Sequence, residues 1–250
     1  MGGAKNMRIP HKIYPVIPWR LPNRAVYSNY ALDFKGDEAE DYVNVPYVAA
    51  YDITDEITVG AWVNARIGTM NVGLAWKAIV WKGGCYVLFY DGSADRIGFH
   101  VYGPDVTSDL WVATPGWHYV EGYYDGTRIG LRVDGEEYGT PNVATGAITT
   151  NTNPINIGGV PGVERWFNGL IDEPFVMNRA TSLRETRENF YRGYSRAEPN
   201  HVMCLRFEEG KGLTARDSSP VGNNGTLNPA GDPPEWTRVA LYELLSEGQR

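Results

Sequence analysis

Trp166-Phe167-Asn168-Gly169-Leu170-Ile171-Asp172-Glu173-Pro174-Phe175-Val176-Met177-Asn178-Arg179-Ala180 is the stretch whose reading decides the fold. Alternation puts Phe167, Ile171, Phe175 and Met177 roughly on one side. Leu170, Glu173, Val176 and Asn178 fall roughly on the other, with Gly169 where the chain must bend. This pattern predicts a strand of an antiparallel sheet. After Ala180, Thr181-Ser182-Leu183-Arg184-Glu185 predicts a helix start capped by Thr181 or Ser182. Asp172 and Glu173 fall mid-strand, where a carboxylate is exposed, paired or bound to a cation.

Further strands precede this one along the chain. Ala31–Gly36 and Tyr42–Val45 are short, and Ile57–Ala65 alternates with Ile57, Val59, Ala61 and Val63 on one face. Residues 78–84 lead through Gly83-Gly84 into 85–92, then come 96–102 and 116–126. Residues 128–138 form a hairpin turning on Asp134-Gly135, and 155–159 precede the opening stretch. Strands at this spacing, with Asp-Gly turns, predict an all-β fold of two packed antiparallel sheets.

Composition agrees. The 250 residues include 29 Gly, 16 Pro, 16 Tyr and 8 Trp, which suits short strands and many turns. Hydrophobic content of 42% supports a sizeable core, read as one domain with appendages. The net charge of -7 argues against a nucleic-acid or anionic-membrane partner. No apolar run reaches the ~18 residues of a spanning helix. The basic N-terminus is broken by proline and lacks the apolar core of a signal peptide. Gly2 invites comparison with a myristoylation signal, but Asn6 stands where Ser or Thr is expected. Cys85 and Cys204 each lie in an apolar run; buried free thiols and a bridge are both compatible with that.

Residues 1–29 read as an extended arm. Pro10, Pro15, Pro18 and Pro22 forbid helix and ladder, while Ile9, Ile13, Tyr14, Val16, Ile17, Trp19 and Leu21 are apolar. Such an arm packs along a surface, its own or a neighbour's. Contact with other subunits in a homo-oligomer is therefore expected.

The ordered series ALDFKG, DYVNV, ITVGAWVNA, IVWKGGCYVLFYDG, GWHYVEGYYDGTRIGLRVDGE, INIGG and FNGLIDEPFVMNRA resembles the laminin-G-like, concanavalin A-like lectin/glucanase jelly roll. The resemblance covers about residues 31–194 and implies a two-sheet antiparallel β-sandwich over 30–194. The segment 195–234 contains LRFEEGKGLTARDSS and GNNGTL, which look like the family's usual opening segment, displaced here to follow the last strand. Residues 201–228 are therefore expected beside residues 31–45, of the same sandwich or of a neighbouring subunit. In 235–250, the spacing of Val239, Leu241, Leu244 and Leu245 predicts a short terminal helix.

The resemblance also implies sites. Similar sandwiches hold a structural calcium ion between the first strand region and a late-strand aspartate; here those positions are Asp33, Gly36 and Asp37 with Asp172. The alternative for Asp172 is hydrogen bonding to turn amides. For sugar stacking, the candidates are Tyr86, Tyr90, Trp111 and Trp166 with Asn168, and Trp76 and Trp81 as further aromatics. Related hydrolases carry carboxylates spaced by twos on one strand. Glu38, Glu40 and Asp41, then Asp52, Asp55 and Glu56, lie between predicted strands, and Glu136 and Glu137 on a hairpin. None repeats the acidic strand, so no catalytic residue is assigned. His11, His100, His118 and His201 show no pairing with Ser or Cys, and His118 beside Trp117 reads as core. Three functions follow as expectations, in this order: a structural or adhesion subunit of an assembly, such as a virion decoration, capsid or tail protein; a lectin-like module binding glycan; and last a glycoside hydrolase.

Overall fold

The computed structural model describes residues 30–36, 39–69, 76–192 and 198–239. The N-terminal arm, Asp37 and Glu38 lie outside the described residues. The strands are β1 (Tyr30–Lys35), β2 (Tyr42–Val45), β3 (Ile57–Ala65), β4 (Trp76–Lys82), β5 (Tyr86–Asp91), β6 (Arg96–Val101), β7 (Val106–Thr107), β8 (Trp111–Val112) and β9 (His118–Tyr124). They continue as β10 (Arg128–Val133), β11 (Glu136–Val143), β12 (Ile155–Ile157), β13 (Asn168–Met177), β14 (His201–Cys204), β15 (Thr214–Ala215), β16 (Gly225–Asn228) and β17 (Glu235–Arg238), with one helix, α1 (Leu183–Arg192), between β13 and β14.

These form two antiparallel sheets. The first runs β11-β10-β9-β3-β13-β1-β17, with β14 also on β13; the second runs β15-β16-β2-β12-β4-β5-β6-β7, with β8 also on β6. Between them lies the main core, filled by alternate residues of each strand, such as Leu32 and Phe34, Val43 and Val45, Tyr86 and Leu88, Val120 and Tyr124. The fold expected from the sequence is the fold observed, an all-β sandwich. No helix among the described residues is long and apolar enough to cross a membrane.

The strand that opened the sequence reading does not alternate strictly. Asp172 stands opposite Trp62 of β3, but Phe175 stands opposite Gly60, so β13 carries one extra residue there. Glu173 adopts a left-handed φ of 46°, and its amide donates to the Asp172 carboxylate at 2.8 Å. The bulge reverses the parity of everything after it. Ile171 and Val176, five apart, both face the main core. Phe175 and Met177, expected on the side of Ile171, instead join Ala31, Trp62, Tyr119 and Cys204 on the outer face. Helix α1 covers this cluster, with Phe190 stacked on Trp62 at 5.5 Å. Ser182 is its cap: Ser182 and Glu185 exchange side-chain and backbone hydrogen bonds, a capping box.

The C-terminal segment returns to the same sandwich. Thr226–Asn228 lie against Tyr42–Asn44, and β14 lies beside β13. Where the sequence predicts a helix from 235, Glu235–Arg238 is instead a strand paired with β1, Trp236 opposite Leu32. The open edge of β1 supplies backbone partners to residues whose Trp-Thr pair favours extended chain. The remaining residues of that predicted helix, 240–250, lie outside the described ones. Cys85 and Cys204 are free, buried in different clusters.

Candidate functional site

On the second sheet the residues between the core positions point outward. One unbroken row crosses seven strands: Thr226 opposite Asn44, Asn44 opposite Asn156, Asn156 opposite Trp81, Trp81 opposite Val87, Val87 opposite His100, and His100 opposite Thr107. At about 4.8 Å between strands, this row is roughly 29 Å long. Its polar end is an amide pair, Asn44 donating to Asn156 at 3.1 Å. Its other end is aromatic. Trp76 stacks on Phe89 with ring centres 4.0 Å apart, and lies 5.3 Å from His100. Tyr102 meets His100 edge-on at 4.4 Å. Trp76, Tyr102, Tyr42 and Asn44 are half-buried.

Arg165 completes the platform. Beyond the short β12, the chain continues alongside β4, and the Arg165 carbonyl accepts from the Ala78 amide at 3.0 Å. The guanidinium lies over the Trp81 ring, 4.6 Å from its centre, and donates to the Trp76 carbonyl at 3.1 Å. His100 Nδ1 is 2.9 Å from the Thr107 hydroxyl, and burial lowers the pKa of the ring. Burial thus disfavours a charge on His100, while Arg165 sets a fixed positive charge beside Trp81. At its rim, a shallow cleft of about 540 Å³ is lined by Arg96, Ser108, Asp109, Leu110, Tyr138 and Gly139.

The sequence-predicted sugar contacts do not assemble. Tyr86 and Tyr90 are 0% exposed and point into the core, so neither offers a ring to a ligand. Trp166 is buried, its ring filling the space above Gly159 where a Cβ would sit 2.2 Å away. Trp111 is half-buried with its ring edge-on to His118 at 4.7 Å. The amide of Asn168 is taken up, accepting from Arg66 at 2.9 Å and donating to Thr69 at 3.2 Å. Trp76 and Trp81, named alongside these, lie on the outer face of the second sheet, Trp76 half-buried and Trp81 buried beneath Arg165. Asn44, Asn156, His100, Tyr102 and Arg165 were missed. The clue was the period-2 alternation of Val43-Asn44-Val45 and Ile155-Asn156-Ile157, whose asparagines face away from the core.

His118, read as core, is half-buried in a polar chain. Its Nδ1 meets the Asp134 carboxylate at 2.8 Å, and its Nε2 lies 2.9 Å from the Thr114 hydroxyl. Since the carboxylate only accepts, Nδ1 is the donor to Asp134.

The described members of the expected calcium set do not converge on a cation. Asp33 is bonded by Arg66 at 2.7 Å, and the same guanidinium donates to the Phe34 carbonyl and to Asn168. A built-in cation thus gathers the oxygens near Asp33. The Gly36 carbonyl accepts from the Glu40 amide at 3.1 Å. Asp172 is 3% exposed and receives the Glu173 amide. Among the described residues no group of three or more His, Cys, Asp or Glu could hold a metal ion. Asp37, the remaining member of the expected set, lies outside the described residues.

A family model described as the Concanavalin A-like lectin/glucanases superfamily matches residues 37–186. Among solved structures, the chain is similar to a "putative carbohydrate binding protein" from Bacteroides ovatus, at 19% identity and a TM-score of 0.65, covering 86% of this chain and 62% of that one. It is also similar to the binding domain of Paraclostridial Mosquitocidal Protein 1 (9% identity, TM-score 0.49, 81% and 57% covered). Mouse laminin α1 chain domains LG4-5 are similar at 14% identity and a TM-score of 0.41, with 63% and 45% covered. This chain therefore spans about three-fifths of the Bacteroides protein's length. No match was found among curated proteins.

Proposed function

The chain belongs to the concanavalin A-like lectin/glucanase superfamily, and from that membership we propose that it is a non-catalytic carbohydrate-binding domain, its ligand lying along the outer face of the second sheet. The observation that carries the reading is the platform itself. Trp76 and Tyr102 supply half-buried rings for sugar faces, and Asn44, half-buried and held by the buried Asn156, supplies an amide on the same sheet face that reads hydroxyls.

The carboxylates support a non-catalytic role. Retaining hydrolysis needs two carboxyl groups about 5–5.5 Å apart across the sugar, and inversion a pair somewhat further apart. On this face Asp91 is engaged by Ser93 and Arg96. Glu136 is paired with Arg187 and Glu137 with Arg132, on the other sheet. Asp41 is buried, accepting from the Lys35 amide.

Titration of the full chain with neutral and acidic oligosaccharides, followed by tryptophan fluorescence, tests the reading. Binding is expected to weaken about ten-fold or more in Trp76→Ala, by loss of one stacking face. Binding that Trp76→Ala and Asn44→Ala both leave intact would move the ligand elsewhere.

A further inference from the structure

We propose that the ligand of this face is an anionic glycan, its carboxylate or sulfate group received by the Arg165 guanidinium. The inference rests on the reading of the face as a carbohydrate site and specifies the class of sugar it takes.

The argument comes from how this chain treats its other arginines. Among the described arginines that are not exposed, Arg96 faces Asp91, Arg132 faces Glu121 and Glu137, Arg179 faces Glu185 and Glu198, and Arg206 faces Glu208. Arg165 is half-buried, as Arg96, Arg179 and Arg206 are, yet no carboxylate of the described residues lies within 4.0 Å of it. Its contacts are the Trp76 carbonyl and the Trp81 ring. A guanidinium has five N–H donors in a planar fork that fits a carboxylate or sulfate with two parallel bonds. One nitrogen is occupied here, leaving the rest of the fork available.

The surroundings strengthen that demand. Burial pulls the Arg165 pKa below the usual guanidinium value, a sign of a charge short of compensation. The Trp81 ring beneath it fixes its plane and excludes water from one side. The acids of this face do not neutralise it: Asp91, opposite Trp76, is taken up by Ser93 and Arg96. Glu164 is exposed, with its backbone carbonyl receiving Lys77 at 3.3 Å. Asp105 is 81% exposed at the side chain and approaches His100 Nε2 at 3.4 Å. An anion on the ligand, beside rings that stack on its sugars, would complete Arg165 as Glu121 completes Arg132.

The test uses matched ligand pairs on the full chain: an oligogalacturonide against its fully methyl-esterified form, and a sulfated dextran oligomer against plain dextran. The acidic member of at least one pair is expected to bind about ten-fold tighter or more, and which pair responds distinguishes carboxylate from sulfate. Arg165→Met should erase that preference, bringing the acidic and neutral members of the responding pair to equal affinity. Arg165→Lys, which keeps the charge but not the fork, should keep part of it. If neutral and acidic members bind alike, or if Arg165→Met and Arg165→Lys both retain the full preference, the inference is overturned while the carbohydrate reading stands. If none of the four binds and a wider oligosaccharide screen is also silent, the carbohydrate reading falls and takes the inference with it.

Discussion

Arg132 donates to Glu121 across 3.1 Å on the outer face of the first sheet, beneath helix α1, and both side chains are nearly sealed from water. The pair is the centre of a network. Arg132 also donates to Thr186 at 2.9 Å and to Glu137 at 3.0 Å, and stands over the Tyr123 ring. Glu121 accepts from Tyr119 and Thr186, and from Thr181 in a short contact. Removing one partner leaves the other charge buried and unpaired, which typically costs about 3–5 kcal/mol. We expect Glu121→Leu and Arg132→Met each to lose stability on that scale in urea unfolding, and the double variant to lose less than the sum. Single losses below about 1 kcal/mol would mean the network contributes little to holding α1.

Asp41 offers a pH-dependent test. It is 0% exposed, and desolvation pushes its pKa up to about 7, against the lowering effect of the Lys35 amide. The folded chain therefore holds a proton that the unfolded chain, with an ordinary aspartate near 4, has already released. Stability supplied by this proton is present at pH 4 and is lost as pH rises toward 7. His201 works in the opposite sense. Burial lowers its pKa to about 4, so its contribution is lost as pH falls below about 6.5. Comparing the parent with Asp41→Asn isolates the first effect. Asp41→Asn should gain stability relative to the parent between pH 4 and 7.5, by a few kcal/mol at most. A difference that stays flat with pH would mean Asp41 titrates normally.

The bulge in β13 has a steric counterpart. Because of the extra residue, Phe175 falls opposite Gly60, and a Cβ on Gly60 would lie 2.4 Å from the Phe175 ring. Gly60→Ala should cost about 1–3 kcal/mol by overpacking. Adding Phe175→Leu should recover part of that loss, since it removes the ring that obstructs the methyl group. Thermal unfolding of the two single variants and the double reads this directly. An Ala at 60 that unfolds at the parental temperature would show that this face has slack.

Much of the fold was legible in the chain because strand identity is local. Alternation in Ile57–Ala65, the Asp134-Gly135 turn and the order of the apolar segments predict the sandwich. Facing was harder wherever alternation is absent. The run Cys85-Tyr86-Val87-Leu88-Phe89-Tyr90 is apolar throughout, since its inward residues meet the core and its outward ones meet the aromatic platform. Nothing local says that Tyr86 and Tyr90 turn inward while Phe89 turns out beneath Trp76.

The sequence by itself determined the class of fold, its turns, the capping of α1 and the alternating asparagines of β2 and β12. Only the tertiary structure decided the rest. The extra residue at Asp172–Pro174 shows itself only as a register against β3, and it exchanges the two faces of the strand beyond it. Residues 235–238 became a strand because β1 offered an open edge, a partner about 200 positions distant. The platform gathers Asn44, Trp81, His100 and Arg165 from segments far apart in the chain, and cross-strand register, a long-range property, is what brings them into one row.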